Sequence, residues 1–328
     1  MKCRVMLCAL ALSMTLGTAY AQDDEWQRLM TQGNAHTLSG SYTEAAAFFR
    51  DSVRLAEQFD SQDPRLAKSL NALAIAYDEL GQSAEAERCY RRALALVEKR
   101  SGKDSPDYAK LLTNAGAFNM EQGRMAKARE MIRESVEIYE HAVPRDDGAL
   151  ALARNCLADF LVKTRNYTEA ETLLTEVIAA VQNQSGPETV LLGISLNNLG
   201  AVRRYQGKMD DAARLFERAM AILEKTLVPE HPIILRSLNN LAIVYAGVGR
   251  NREAELTFQR AIEIAETRLG KEHPTYGRIL QNYADFLRKV GRKTEARSFD
   301  AQSKAALATS ARRNGVGMTV DASSFRQQ

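Results

Sequence analysis

Apolar positions recur along this chain at helical rather than strand intervals. Leu238, Leu241, Ala242 and Tyr245 share one helix face, and Ala254, Phe258 and Ala261 share another, with the short glycine-containing turn GVGRN between them. The pattern predicts a helix, a tight turn, a second helix and a longer connector carrying Pro64, Pro106, Pro232 or Pro274. Proline fits there because it tolerates the first helical turn but not a helix interior.

The whole block repeats. Leu70, Leu112, Leu196, Leu238 and Leu280 lie at intervals of 42 residues or its multiple, with Arg154 in the discordant slot. Gly81, Gly123, Gly207, Gly249 and Gly291 keep the same register, as do Ala86, Ala128, Ala170, Ala212, Ala254 and Ala296. An earlier copy with Gly40 and Ala45 joins one residue out of phase, giving about seven units between residues 24 and 309. Their expected bounds are near 24–64, 65–106, 107–148, 149–190, 191–232, 233–274 and 275–309. Gly200, Ala242 and Ala254 fall where two helices would cross closely, so a larger side chain there would overpack the crossing.

The order Leu238, Leu241, Ala242, Tyr245, Ala254, Phe258, Ala261, Pro274 resembles the tetratricopeptide-repeat signature of small and large residues. The 42-residue unit, with LNNLA, a glycine-led EAE and a His-Pro connector, is similar to the longer variant of kinesin light chains. HEAT and armadillo repeats share the period but not this residue order. The resemblance covers nearly all of residues 22–309 and implies an all-α, right-handed α-solenoid of stacked helix-turn-helix units.

Two units depart from the pattern. In the fourth, Arg154 replaces leucine, Leu161 replaces tyrosine and Arg165 stands where glycine is expected, so a bend or looser joint is expected at the centre. In the last, Asp300 takes the slot of Phe216 and Phe258, as suits a terminal cap. Residues 310–328 lack helical periodicity and read as a flexible tail.

The first residues, MKCRVMLCALALSMTLGTAYA, place Lys2 and Arg4 before an apolar run that ends in Ala19-Tyr20-Ala21. This is the layout of a secretory signal peptide over residues 1–21, and it implies a periplasmic or secreted protein; an uncleaved N-terminal anchor is the alternative. Cleavage would lower the formal charge from +3 to about +1, because two of 44 basic residues leave while all 41 acidic ones stay. Net charge then points to no partner, and nucleic acid is not expected without a basic stripe. Cys89 and Cys156 remain, too far apart in a stacked array for an easy bridge, and read as buried free thiols.

Catalytic chemistry has little to stand on. The four histidines are His36, His141, His231 and His273, and the last two recur in the connector motif EHP, which suggests a capping role. The chain contains no P-loop, no dinucleotide fingerprint, no nucleophile elbow and no Cys/His ligand spacing, so neither an enzyme nor a cofactor or metal is expected. The reading is therefore a scaffold for protein–protein interaction.

In tetratricopeptide solenoids the side of the first helices away from the apolar stripe lines a concave groove. By that resemblance the groove candidates are Asn71, Asn114, Asn155, Asn197, Asn198, Asn239, Asn240 and Asn282, with Lys68, Lys110, Arg204, Arg236, Arg278 and Arg288 around them. An asparagine amide both donates and accepts, so a row of them can pair with an extended peptide backbone without reading its sequence. The basic neighbours favour an acidic segment, and the N-terminal half carries Asp78, Glu79 and Glu121 instead. The rival reading is a structural or assembly role in which the edges or ends of the solenoid make the contacts.

Overall fold

The computed structural model describes residues 22–60, 62–185, 189–229 and 231–313, and the proposed signal segment lies outside them. Among the described residues it holds fourteen helices and no strand. Helix α1 covers residues 22–38. The first helices of the later units are α3 (Pro64–Glu79), α5 (Pro106–Glu121), α7 (Asp147–Lys163), α9 (Val190–Tyr205), α11 (Pro232–Gly247) and α13 (Pro274–Lys289). Their partners are α2 (Tyr42–Ala56) with α1, then α4 (Ser83–Ser101), α6 (Met125–His141), α8 (Tyr167–Ser185), α10 (Met209–Thr226), α12 (Asn251–Arg268) and α14 (Lys293–Arg313). Helix α14 thus runs past the expected end of the array at residue 309.

Both ends of the first helices follow from local chemistry. Asp63, Ser105, Asp146, Thr189, His231 and His273 occupy the N-caps of α3, α5, α7, α9, α11 and α13, and each side chain accepts a backbone N–H of the first turn. The two connector histidines are therefore helix caps. The C-terminal turns all close with the same bond from an N–H to the carbonyl five residues back, as in Gln82 to Tyr77 (2.7 Å) and Arg292 to Leu287 (2.9 Å). That bond needs the preceding residue in the left-handed region, which glycine enters freely. In the fourth unit Arg165 takes that conformation at φ 62°, and the turn still forms, with Asn166 N–H on Leu161 O at 2.8 Å.

Packing explains the small-residue register. Ala45, Ala86, Ala128, Ala170, Ala212, Ala254 and Ala296 are all fully buried where the second helix of each unit crosses the first. A Cβ on Gly200 would lie 3.0 Å from Phe216, and one on Gly116 would lie 2.6 Å from Ile132. The apolar core runs continuously from α2 to the start of α7 and again from α10 to α14, and between them lie three smaller clusters drawn from α5–α10, around the unit where the sequence departs from its own pattern. Asp300 is not simply left to solvent: it accepts from Gln281 (3.2 Å) and pairs with Arg288. Cys89 and Cys156 are unbridged, and burial pushes their thiols up, to about 11 and about 12.

First helices of successive units touch one another, α3 to α5, α5 to α7, and on to α13, while successive second helices make no comparable contact. The first helices therefore lie on the inside of the curve. The array coils far enough for its ends to meet, since His273 Nε2 approaches Glu79 O at 2.5 Å across 194 residues of sequence.

Candidate peptide-binding groove

The inner surface is built from equivalent positions on the first helices. One row reads Lys68, Lys110, Leu152, Ile194, Arg236 and Arg278. The two lysines and two arginines are exposed, and Leu152, 50% exposed, breaks the basic row at its centre.

The neighbouring rows carry the asparagines, which bond mainly to each other. Asn114 Nδ2 donates to Asn71 Oδ1 at 2.9 Å, Asn198 to Asn155 at 3.2 Å, and Asn282 to Asn239 at 3.0 Å. Each pair joins consecutive first helices, and Cys156 takes the same place by donating to Thr113 O at 3.8 Å. The amides thus tie units together before they meet any ligand. Asn155 also donates to Ala151 O (3.0 Å) and Ser195 Oγ (2.9 Å). Asn155 and Asn197 are only 4% and 2% exposed, so the structure takes both out of the accessible set, and Asn197 Oδ1 has no partner among the described residues. Asn71, Asn114, Asn198, Asn239, Asn240 and Asn282 remain half-buried on the surface.

The basic candidates divide in the same way. Arg288 is committed to Asp285 and Asp300 on its own unit. Arg204 lies over the Tyr205 ring at 4.1 Å, and Tyr205 stacks on Tyr167. Arg278 donates to Thr275 Oγ1 at 3.0 Å, and Arg236 has no hydrogen bond or ion pair among the described residues. Both keep their charge toward the groove.

That charge meets carboxylates of the opposite arm. Burial in the enclosed groove pushes Glu79 up, with Arg236 and Arg278 opposing the shift. The surrounding protein works against the charge of Glu121 too, although its side chain is 50% exposed, but Lys163, Arg278 and Arg236 outweigh this and hold the carboxyl below its usual range; Lys163 Nζ donates to Glu121 at 2.5 Å. Asp159 is raised by burial against the fields of Lys163 and Arg236. Asp78 is pushed up to about 7, by burial first and then by Glu79 and Glu121. Sequence reasoning found Asp78, Glu79 and Glu121 but missed Asp159, Lys163, Leu152 and Ile194, which filling in the repeat position by position would have exposed. Among the described residues no cluster of acidic, histidine and cysteine side chains could hold a metal ion, and no helix is long and apolar enough to cross a membrane.

A tetratricopeptide-repeat family model matches residues 27–99, 84–141, 148–225, 192–267 and 234–308. The chain belongs to the tetratricopeptide-repeat family. Among solved structures, the Rap conjugation gene regulator of plasmid pLS20, in complex with a Phr peptide, is 12% identical with a TM-score of 0.70, covering 92% of this chain and 79% of that one. A Rap protein complexed with competence and sporulation factor is 12% identical with a TM-score of 0.56, covering 88% and 99%. BtubC from P. vanneervenii is 22% identical with a TM-score of 0.49, covering 75% and 92%. No curated protein matches the sequence. The tetratricopeptide solenoid is a protein–protein interaction scaffold, and the inner face of this chain carries half-buried amides beside exposed cations.

Proposed function

We propose that this tetratricopeptide protein is an exported, non-enzymatic scaffold that captures a peptide segment of a partner in its inner groove. The observation that carries the reading is the coincidence, on one inner face, of six half-buried asparagines with the exposed Lys68, Lys110, Arg236 and Arg278. The amides retain donors and lone pairs beyond those used between units, so a backbone lying along the row can still bond to them. Each bond is worth only about 0.5–1.5 kcal/mol net, so capture relies on several together. The cations favour acidic residues in the bound segment, and Leu152 offers an apolar contact midway. The Phr peptide complex of the pLS20 Rap regulator supports this use of the fold, and the N-terminal segment supports export with cleavage after Ala21.

The test is capture of partners by the chain carrying Asn198→Ala, Asn240→Ala and Arg236→Ala together, with folding followed by circular dichroism. Loss of capture by a folded variant is expected; undiminished capture would reject the groove. N-terminal sequencing of the mature protein should begin at Gln22, and retention of Met1 would reject cleavage.

A further inference from the structure

The meeting of the two ends has a defined chemistry. His273 caps α13 by accepting the Thr275 N–H on Nδ1 at 3.1 Å, which leaves the ring proton on Nε2. Nε2–H then donates to the Glu79 carbonyl at 2.5 Å. That carbonyl lies in the last turn of α3, where helical carbonyls lack intrahelical partners, and the turn bonds of Gly81 and Gln82 go to Asp78 and Tyr77 instead. His231 caps α11 in the same way, accepting from Ile233 N–H at 3.2 Å, but among the described residues has no such bond across the array. The reach across the seam is thus particular to His273.

Two further features lie along the seam. A cavity of about 260 Å³ is walled on one side by the α1–α2 turn and Glu79, and on the other by Thr267–Leu269 and His273, with the Tyr42 hydroxyl bonded to the Glu79 carboxylate. Beside it, the charges of Arg236 and Arg278 reach Glu79 and Glu121, and that of Arg236 reaches Asp159, without closing an ion pair among the described residues, so the direct contact across the seam is the His273–Glu79 bond. The cations that suit an acidic ligand are therefore already facing the chain's own acids.

We propose that His273, with Arg236 and Arg278, clasps the solenoid into a ring that restricts entry to its own groove, and that an acidic segment opens the ring by taking over the arginines. The inference rests on the groove reading for its ligand, but the clasp itself is measurable without one. One hydrogen bond and a set of partly hydrated charges make a weak closure, of the kind whose open form is populated and shifted by a ligand that prefers it.

The experiment uses the full chain with Cys3→Ala, Cys8→Ala, Cys89→Ala and Cys156→Ala, and spin labels at Gln82→Cys and Lys271→Cys on opposite sides of the seam. His273→Ser keeps a capping hydroxyl, as Ser105 provides for α5, but is too short to reach Glu79. It should lengthen and broaden the distance distribution, as should Glu79→Gln with Glu121→Gln, and molar salt should do the same to the parent. His231→Ser, which alters only a cap, should leave the distances unchanged. Distances unmoved by His273→Ser and by the acid neutralisation would overturn the clasp, as would equal opening in His231→Ser. A short fluorescein-labelled glutamate-rich peptide then reads access: the opened variants should bind it roughly threefold or more tightly than the parent, because apparent affinity scales with the fraction of competent chain. Opening without any gain in binding would overturn the gating role. Binding to none of the proteins would count against the groove reading, while the distances still decide the clasp.

Discussion

Asn282 Nδ2 donates to Asn239 Oδ1 at 3.0 Å, and the same bond recurs between Asn114 and Asn71 and between Asn198 and Asn155. An adjacent-asparagine motif that first suggests a ligand surface is therefore also a fastening between first helices one unit apart. Alanine at Asn239 and at Asn282, singly and together, should give a coupling energy of about 0.5–1.5 kcal/mol in urea unfolding. Strict additivity of the two single changes would refute the fastening role.

Gly33 lies against Phe49, and a Cβ there would fall 2.4 Å from the ring. Phe49 is fully buried beside Ala45 and Ala46, so the ring has little freedom to retreat. Gly33→Ala should cost roughly 1–3 kcal/mol, and Ala254→Leu a similar amount at the equivalent crossing of the sixth unit. A thermal melt with no loss in either variant would contradict the packing described above.

Arg165 sits at φ 62°, where six other turns use glycine. An L-residue in that region is strained by about 1–2 kcal/mol, and glycine costs about 0.5–1 kcal/mol in unfolded-chain entropy. Arg165→Gly should therefore stabilise the chain by up to about 1 kcal/mol, read as a rise in melting temperature. A fall would mean that the arginine side chain contributes more than its backbone costs.

Asp78 is raised to about 7 in the folded chain, against about 3.9 when unfolded. Between about pH 4 and pH 7 the folded state holds the extra proton, so stability falls as pH rises through that window and stays reduced above it. Asp78→Asn removes the penalty. Its advantage over the parent should grow by roughly 1–2 kcal/mol from pH 5 to pH 8, the figure being reduced for the side chain's partial hydration. An advantage that is constant with pH would show that Asp78 ionises normally.

The sequence by itself determined the repeat, the helix ends and the buried register. Leucine and alanine spacing, proline at the first helical turn and glycine after the last are local signals, and each reads only a few residues at a time. The inner face was also legible, because it is the helix side left over once the apolar stripe is assigned. Only the tertiary structure decided that Asn155 and Asn197 are buried, that Arg288 is committed to Asp300, and that Arg236 and Arg278 face Glu79 and Glu121. Small rotations between neighbouring units add up over the array before His273 reaches Glu79, and no pattern within one repeat encodes their sum.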